Sequence, residues 1–191
     1  MSGHEACPAA LTLTDEERRQ LLALARHAIA AHLSCVPLSL PDVPPALRRP
    51  GSVFVTLRSR KDDELRGCIG TLEAREPLVE AVLRMAVAAA TQDQRFSSVT
   101  PGELPLLALE VSVLTPPEPI APQDVEPGVH GLIVRHCGRS GLLLPQVATH
   151  HGWDRETFLQ YTCVKAGLPR DAWKEPGATL LAFTAVVFTD E

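Results

Sequence analysis

The sequence predicts an α+β fold, mainly antiparallel sheet flanked by helices. Three observations predict it: strand-like runs that double back across short polar turns, three segments with apolar residues at helical spacing, and no regular alternation of strand and helix of the kind a parallel sheet requires. The 191 residues suit one domain or two intimately packed lobes, and a globule of that size buries roughly 70% of its unfolded surface. The domain is expected over residues 13–190, behind a flexible tail over residues 1–12.

The first helix is signalled at Thr14-Asp15-Glu16-Glu17, where a hydroxyl and a third-position carboxylate suit the free backbone donors of a helix start. Leu21, Leu22, Ala25, Ala28 and Ile29 then recur on one face. From Val36 to Gly51 five prolines remove donors and forbid a helix, so this stretch reads as extended. Ser52 to Arg60 and Leu65 to Leu72 read as two strands joined by the polar turn Lys61-Asp62-Asp63-Glu64. Pro77 opens a second helix with Leu78, Val82, Met85, Ala86 and Ala89 as its apolar stripe and Glu80 and Arg84 as an exposed pair four residues apart. Leu106 to Thr115 alternates as a strand until Pro116 and Pro117 stop it. A second hairpin is expected from Gly131 to His136 and Gly141 to Leu144. The third helix runs from Asp154 to Ala166 with Gly167 as its cap, and Leu180 to Phe188 supplies a last apolar strand.

Composition removes several function classes. Apolar content is 45%, yet no continuous apolar stretch approaches the roughly 20 residues that span a bilayer, so no membrane role is expected. Met1-Ser2-Gly3-His4-Glu5-Ala6 has no basic region leading into an apolar segment, which points to a cytoplasmic protein. The 5 cysteines are an odd number at wide spacings without a C-x-x-C pair, so they read as reduced thiols. A net charge of -5 works against the phosphate grip that dominates nucleic-acid affinity, and nucleic acid is an unlikely partner.

The candidate chemistry centres on Leu65-Arg66-Gly67-Cys68-Ile69-Gly70. Side chains two apart on a strand share a face, so Arg66 and Cys68 are expected to point the same way, and a cation beside a thiol favours the thiolate that attacks or binds. Gly67 and Gly70 leave room for a ligand or another backbone. The plainer alternative is that Cys68 fills space in the core, as free cysteines usually do. His130, between Val129 and Gly131 at a strand entrance, can shuttle a proton or simply bond to the turn backbone. Arg95 in Asp93-Gln94-Arg95-Phe96 can clamp an anion or pair with Asp93 to fix the helix exit. Glu110, inside an apolar strand, lies on a wet face or is buried with a raised pKa. Lys165 suits the negative end of its helix. No structural metal site is expected, because the histidines His150 and His151 are adjacent and lack ligand spacing with His136 and Cys137. The sequence names no cofactor.

Leu65-Arg66-Gly67-Cys68-Ile69-Gly70-Thr71 resembles the hallmark of the Alport syndrome, midface hypoplasia and elliptocytosis critical-region (AMMECR) protein family, and in particular its prokaryotic branch, AmmeMemoRadiSam system protein A. The likeness continues through Asp93-Gln94-Arg95-Phe96, Glu110-Val111-Ser112-Val113-Leu114, Gly128-Val129-His130-Gly131, Leu144-Pro145-Gln146-Val147, Gly152-Trp153-Asp154 and Lys165-Ala166-Gly167. The resemblance implies two closely packed lobes, the larger an antiparallel sheet flanked by helices, and partners in a Memo-like protein and a radical S-adenosylmethionine enzyme. It adds Gln146 and Lys165 to the candidate ligand-binding positions Arg66, Gly67, Gly70, Asp93 and Arg95.

Three functions are carried forward. In the first, Cys68 is the nucleophile or substrate anchor of an enzyme or enzyme component, Arg66 and Arg95 hold an anion, and His130 or Glu110 moves protons. In the second, the protein is a non-catalytic binding or scaffold module. In the third, Arg58, Arg60 and Arg66 bind RNA or a nucleotide.

Overall fold

The computed structural model describes residues 13–39 and 41–190, so the tail expected over residues 1–12, with Cys7, lies outside the described residues. Among the described residues the chain order is α1 (Asp15–Leu33), β1 (Ser52–Ser59), β2 (Leu65–Thr71), α2 (Leu78–Thr91), β3 (Leu107–Leu114), β4 (Glu118–Pro119), β5 (Gly131–His136), β6 (Arg139–Leu143), α3 (Pro145–His151), α4 (Arg155–Lys165), β7 (Thr179–Phe183) and β8 (Ala185–Thr189). Two compact units divide the chain. One holds the residues up to Val113 and those from Val186, the other Leu114–Ala185.

In the first unit a four-stranded antiparallel sheet has the order β2-β1-β3-β8. The expected capping box forms at the start of α1: the Glu17 N–H donates to the Thr14 hydroxyl at 3.2 Å, and the Thr14 N–H donates to the Glu17 carboxylate at 2.8 Å. Leu21, Ala25 and Ile29 of α1 and Leu78, Val82, Met85 and Ala89 of α2 bury themselves against Val53, Val55, Leu57, Leu109 and Val111 of the sheet. The period of 3.6 on the helices and of 2 on the strands thus converges on one core. The alanines of α2 bring its backbone so close to β2 that a Cβ at Gly67 would meet the Ala89 carbonyl oxygen at 2.2 Å. At that position glycine is a condition of helix packing.

The return of the chain is fastened by Asp190. Its carboxylate accepts from Arg26 Nε at 2.7 Å, from the Leu109 N–H at 2.7 Å and from Arg60 Nη2 at 3.1 Å. Arg26 also donates to the carbonyls of Leu104 and Leu107 at 2.9 and 2.7 Å. One carboxylate therefore ties β3 and α1 to the end of β8 through charge-assisted bonds.

In the second unit the sheet order is β4-β7-β5-β6, antiparallel throughout. Phe158 and Leu159 of α4 bury themselves with Leu132 and Ala182. The β5–β6 turn is Cys137-Gly138, both at positive φ, as tight hairpin turns require.

The α+β, antiparallel expectation matches this architecture, with corrections to its parts. Four α-helices are present among the described residues rather than three, because Pro145–His151 is helical. Seven residues give too few turns for a legible apolar period. The stretch from Leu180 to Phe188 is two strands, β7 and β8, separated at Thr184 and belonging to different sheets. Strand β6 begins at Arg139 rather than Gly141. Arg84 pairs with Glu76 through Nε at 3.0 Å instead of with Glu80.

Replacing Asp190 with alanine takes the carboxylate away from two guanidinium groups, which keep only backbone carbonyls, and leaves the Leu109 N–H without its side-chain acceptor. Urea unfolding is expected to register a loss of about 3 kcal/mol, since breaking one partner of a part-buried charged network costs about that much. Glu73→Ala, at an exposed side chain, is the control, expected to change stability by less than about 0.5 kcal/mol.

Candidate functional site

Strand β2 is an edge strand, so alternate N–H groups point away from the sheet. The Cys68 N–H is one of them, and it donates to Asp93 Oδ2 at 2.9 Å. Because that N–H is turned away from β1, Cys68 and its partner Thr56 form the non-hydrogen-bonded type of pair, whose side chains lie closer together. The Thr56 hydroxyl accordingly donates to Cys68 Sγ at 3.3 Å. Cys68 is a free, half-buried thiol, and Thr56 beside it is buried.

Asp93 is 7% exposed and its carboxylate is filled on all sides. Arg95 donates from Nε to Oδ1 at 2.9 Å and from Nη2 to Oδ2 at 2.7 Å, and the Arg95 N–H adds a bond of 3.2 Å to Oδ1. The Arg95 guanidinium, then the Cys68 N–H, hold this carboxyl far below the usual carboxylate range against the opposing effect of burial. Since one oxygen receives both Arg95 Nη2 and the Cys68 N–H, the guanidinium stands beside Cys68, and the Asp93 carboxylate raises the arginine's own pKa against the opposing effect of burial.

Arg66 does not occupy the place that simple alternation predicts. The pairing passes from Leu57↔Gly67 to Arg58↔Leu65, which leaves Arg66 as the extra residue of a β-bulge, and bulges redirect side chains. Its guanidinium donates to Glu103 Oε2 at 3.2 Å and to the Ser97 carbonyl at 2.8 Å, and the Phe96 ring centroid lies 6.0 Å from the Arg66 guanidinium and 5.4 Å from that of Arg95. The cation beside Cys68 is Arg95.

Gly70 stands opposite Phe54, and a Cβ there would lie 2.2 Å from Phe54 Cγ. The ring therefore lies across the strand on the face that Cys68 shares. Alternation puts Thr56 and Arg58 of β1 and Glu110 and Ser112 of β3 on the same face. Glu110 is half-buried. Burial pushes its carboxyl up, and Arg58 opposes that shift. Glu110 has no hydrogen-bond partner among the described residues, and Thr56 and Ser112 on its face are buried. It lies two strands from Cys68, a span of about 10 Å at the usual strand spacing.

The remaining candidates belong to the second unit. His130 Nδ1 accepts from the Glu126 N–H at 3.0 Å, the backbone-bonded turn role. Gln146 is the second residue of α3 and half-buried, and Lys165 ends α4 on an exposed position. The first unit thus assembles Cys68, Asp93 and Arg95 on one strand edge, with Glu110 across the sheet. His130, Gln146 and Lys165 lie in a different unit.

Cys163 is fully buried, and burial pushes its thiol up, the profile of an inert filler. Among the described residues no three His, Cys, Asp or Glu side chains gather at metal-binding distance. Trp153 packs on the second unit's core and stacks between His151 and Tyr161, at 4.7 and 4.3 Å between centroids. Thr56 and Glu103 are the site residues that sequence reasoning missed. A hairpin register would have indicated Thr56, but the bulge at Arg66 shifts the count, and nothing in the sequence marks Glu103.

Since the Asp93 pKa is lower in the folded state than in the unfolded chain, its stabilisation is present above the ordinary value of 3.8 and is lost as pH falls below it. Asp93→Asn is therefore expected to cost about 2 kcal/mol near neutral pH. In urea unfolding followed against pH, the gap between the two proteins should narrow below about pH 4.

Known proteins resemble the chain in sequence and in fold. The AMMECR1 family model matches residues 22–188. A protein of Methanothermobacter thermautotrophicus is 47% identical over 94% of this chain and 97% of its own, and one of Thermofilum pendens is 44% identical over 93% and 92%. The crystal structure of an uncharacterized protein from Pyrococcus horikoshii superposes with a TM-score of 0.88 at 43% identity, covering 94% of each chain. With a family match over most of its length and relatives above 40% identity across nearly all of it, the chain belongs to the AMMECR1 family.

Proposed function

We propose that the protein is an enzyme, or a component of one, whose working group is the Cys68 thiol acting as nucleophile or substrate anchor. The observation that carries this is the sulfur's setting: half-buried, hydrogen-bonded by the Thr56 hydroxyl at 3.3 Å, on a strand whose N–H is fixed by Asp93. Space-filling alone calls for none of these polar partners, whereas cysteines that act as nucleophiles sit beside donors and cations with partial access to solvent. Glu110, on the same face and with its carboxyl raised by burial, is the proton donor of this reading. The work would take place in the cytoplasm, with a Memo-like protein and a radical S-adenosylmethionine enzyme as the partners that the family resemblance suggests.

One observation favours the second reading, a non-catalytic binding module. Gly67 and Gly70 are each accounted for by packing, against the Ala89 carbonyl and the Phe54 ring. They need no ligand to explain them. Nucleic-acid binding has less support, because Arg60 donates to Leu107 and Asp190 and Arg66 to Glu103 and Ser97.

Iodoacetamide labelling of the native protein, read cysteine by cysteine by mass spectrometry, separates the first two readings. At about pH 7, Cys68 should outpace the more exposed Cys35, and Thr56→Val should slow Cys68 several-fold while leaving Cys35 unchanged. Labelling of Cys68 at the slow rate of the buried Cys163 would leave only the binding-module reading.

A further inference from the structure

We infer that the site around Cys68 takes a small electrophile bearing one carboxylate, held by the outward edge of the Arg95 guanidinium while the sulfur faces the electrophilic carbon. The inference rests on the reading of Cys68 as a working thiol and adds the class of its substrate.

The argument starts from the way charge is distributed around the sulfur. Asp93 and Arg95 are formally a neutral pair, but they are unequally presented, with the Asp93 side chain 6% exposed and that of Arg95 57% exposed. All four donors to Asp93 approach from the protein: the Cys68 N–H, the Arg95 N–H, Nε and Nη2. The negative end is thereby turned inward and sealed, while Arg95 Nη1 has no acceptor among the described residues and faces out. Phe96 supports the guanidinium from one side at 5.4 Å, which limits its rotation and leaves that edge in place.

The neighbouring charges do not cancel this. Arg66 and Glu103 are closed on each other, so they contribute little field. Arg58 donates to the Asp63 carbonyl, and the Asp63 carboxylate stands 3.9 Å away on an exposed turn. Glu110 is the remaining carboxyl on the face, half-buried and without a hydrogen-bond partner among the described residues. Glu110 stands two strands from Cys68 with its carboxyl raised by burial against the opposing effect of Arg58, whereas the Arg95 guanidinium stands beside the sulfur, so a ligand carboxylate at the site meets guanidinium first. The Phe54 ring, laid across Gly70, supplies an apolar wall with no charge of its own.

A 2-oxo acid is the simplest ligand of this class. Sulfur bonds to the carbonyl carbon, the carbonyl π pair moves onto oxygen, and that oxygen takes up one proton as the thiol gives up its own. Atoms and charge balance, and no oxidant or reductant is needed.

The test compares two alkylating agents on the intact protein. Both form the same S–CH2 bond and release iodide and a proton, but iodoacetate carries a carboxylate where iodoacetamide carries a neutral amide. The ratio of iodoacetate to iodoacetamide rates at Cys68 is expected to exceed that at Cys35, whose neighbours Ser34 and Val36 are uncharged, by about tenfold at low salt. It should collapse toward the Cys35 value at about 1 M salt, where the screening length is near 3 Å. The salt arm needs no substitution, and Arg95→Lys, which keeps the charge, should retain part of the preference that Arg95→Gln loses. Fast labelling of Cys68 by both agents with no preference would overturn the carboxylate inference alone. Slow labelling by both, at the rate of Cys163, would overturn the working-thiol reading beneath it.

Discussion

The site depends on one carboxylate occupying the open edge of a sheet. Strand β2 has no neighbour on its outer side, and an unpaired edge N–H must find an acceptor in water or in the protein. Asp93 is that acceptor for Cys68. Because the same carboxylate is gripped by Arg95, the edge, the exit of α2 and a guanidinium are fixed relative to one sulfur. The Thr56–Cys68 contact follows as a matter of register: an outward N–H at Cys68 makes the pair with Thr56 the close one.

The packing beneath the strand explains why this edge is held so near a helix. Residue Gly67 touches the Ala89 carbonyl and Gly70 lies under the Phe54 ring, so the motif's glycines set distances on both faces while Cys68 stands between them. The motif can thus serve stability and chemistry together. Its glycines answer to packing, and its cysteine has polar neighbours that packing does not require.

Much of this was legible in the sequence, and the failures have local causes. The capping box at Thr14, the stripe from Leu78 to Ala89 and the strand around Val111 declared themselves through periodicity, and all three formed. Helix α3 was too short to show a period, and the break at Thr184 carries neither glycine nor proline to mark where one apolar run becomes two strands. At the site, Cys68 was found through its motif. Its cation was misplaced, because a bulge at Arg66 cancels the two-residue rule on which the pairing of Arg66 with Cys68 relied. The partnership of Asp93 with the Cys68 N–H spans 25 residues, and an unpaired edge donor becomes visible only once the strand order is known.

Amide hydrogen exchange at Cys68 tests the central constraint most directly. The Gly70 N–H faces the same open edge without an acceptor among the described residues, so it provides an internal reference. The account requires the Cys68 amide to exchange at least about tenfold more slowly than that of Gly70, and to lose this protection when Asp93 becomes alanine. Equal exchange at the two amides in the unsubstituted protein would contradict it, because the carboxylate would then not be holding the strand that carries the thiol.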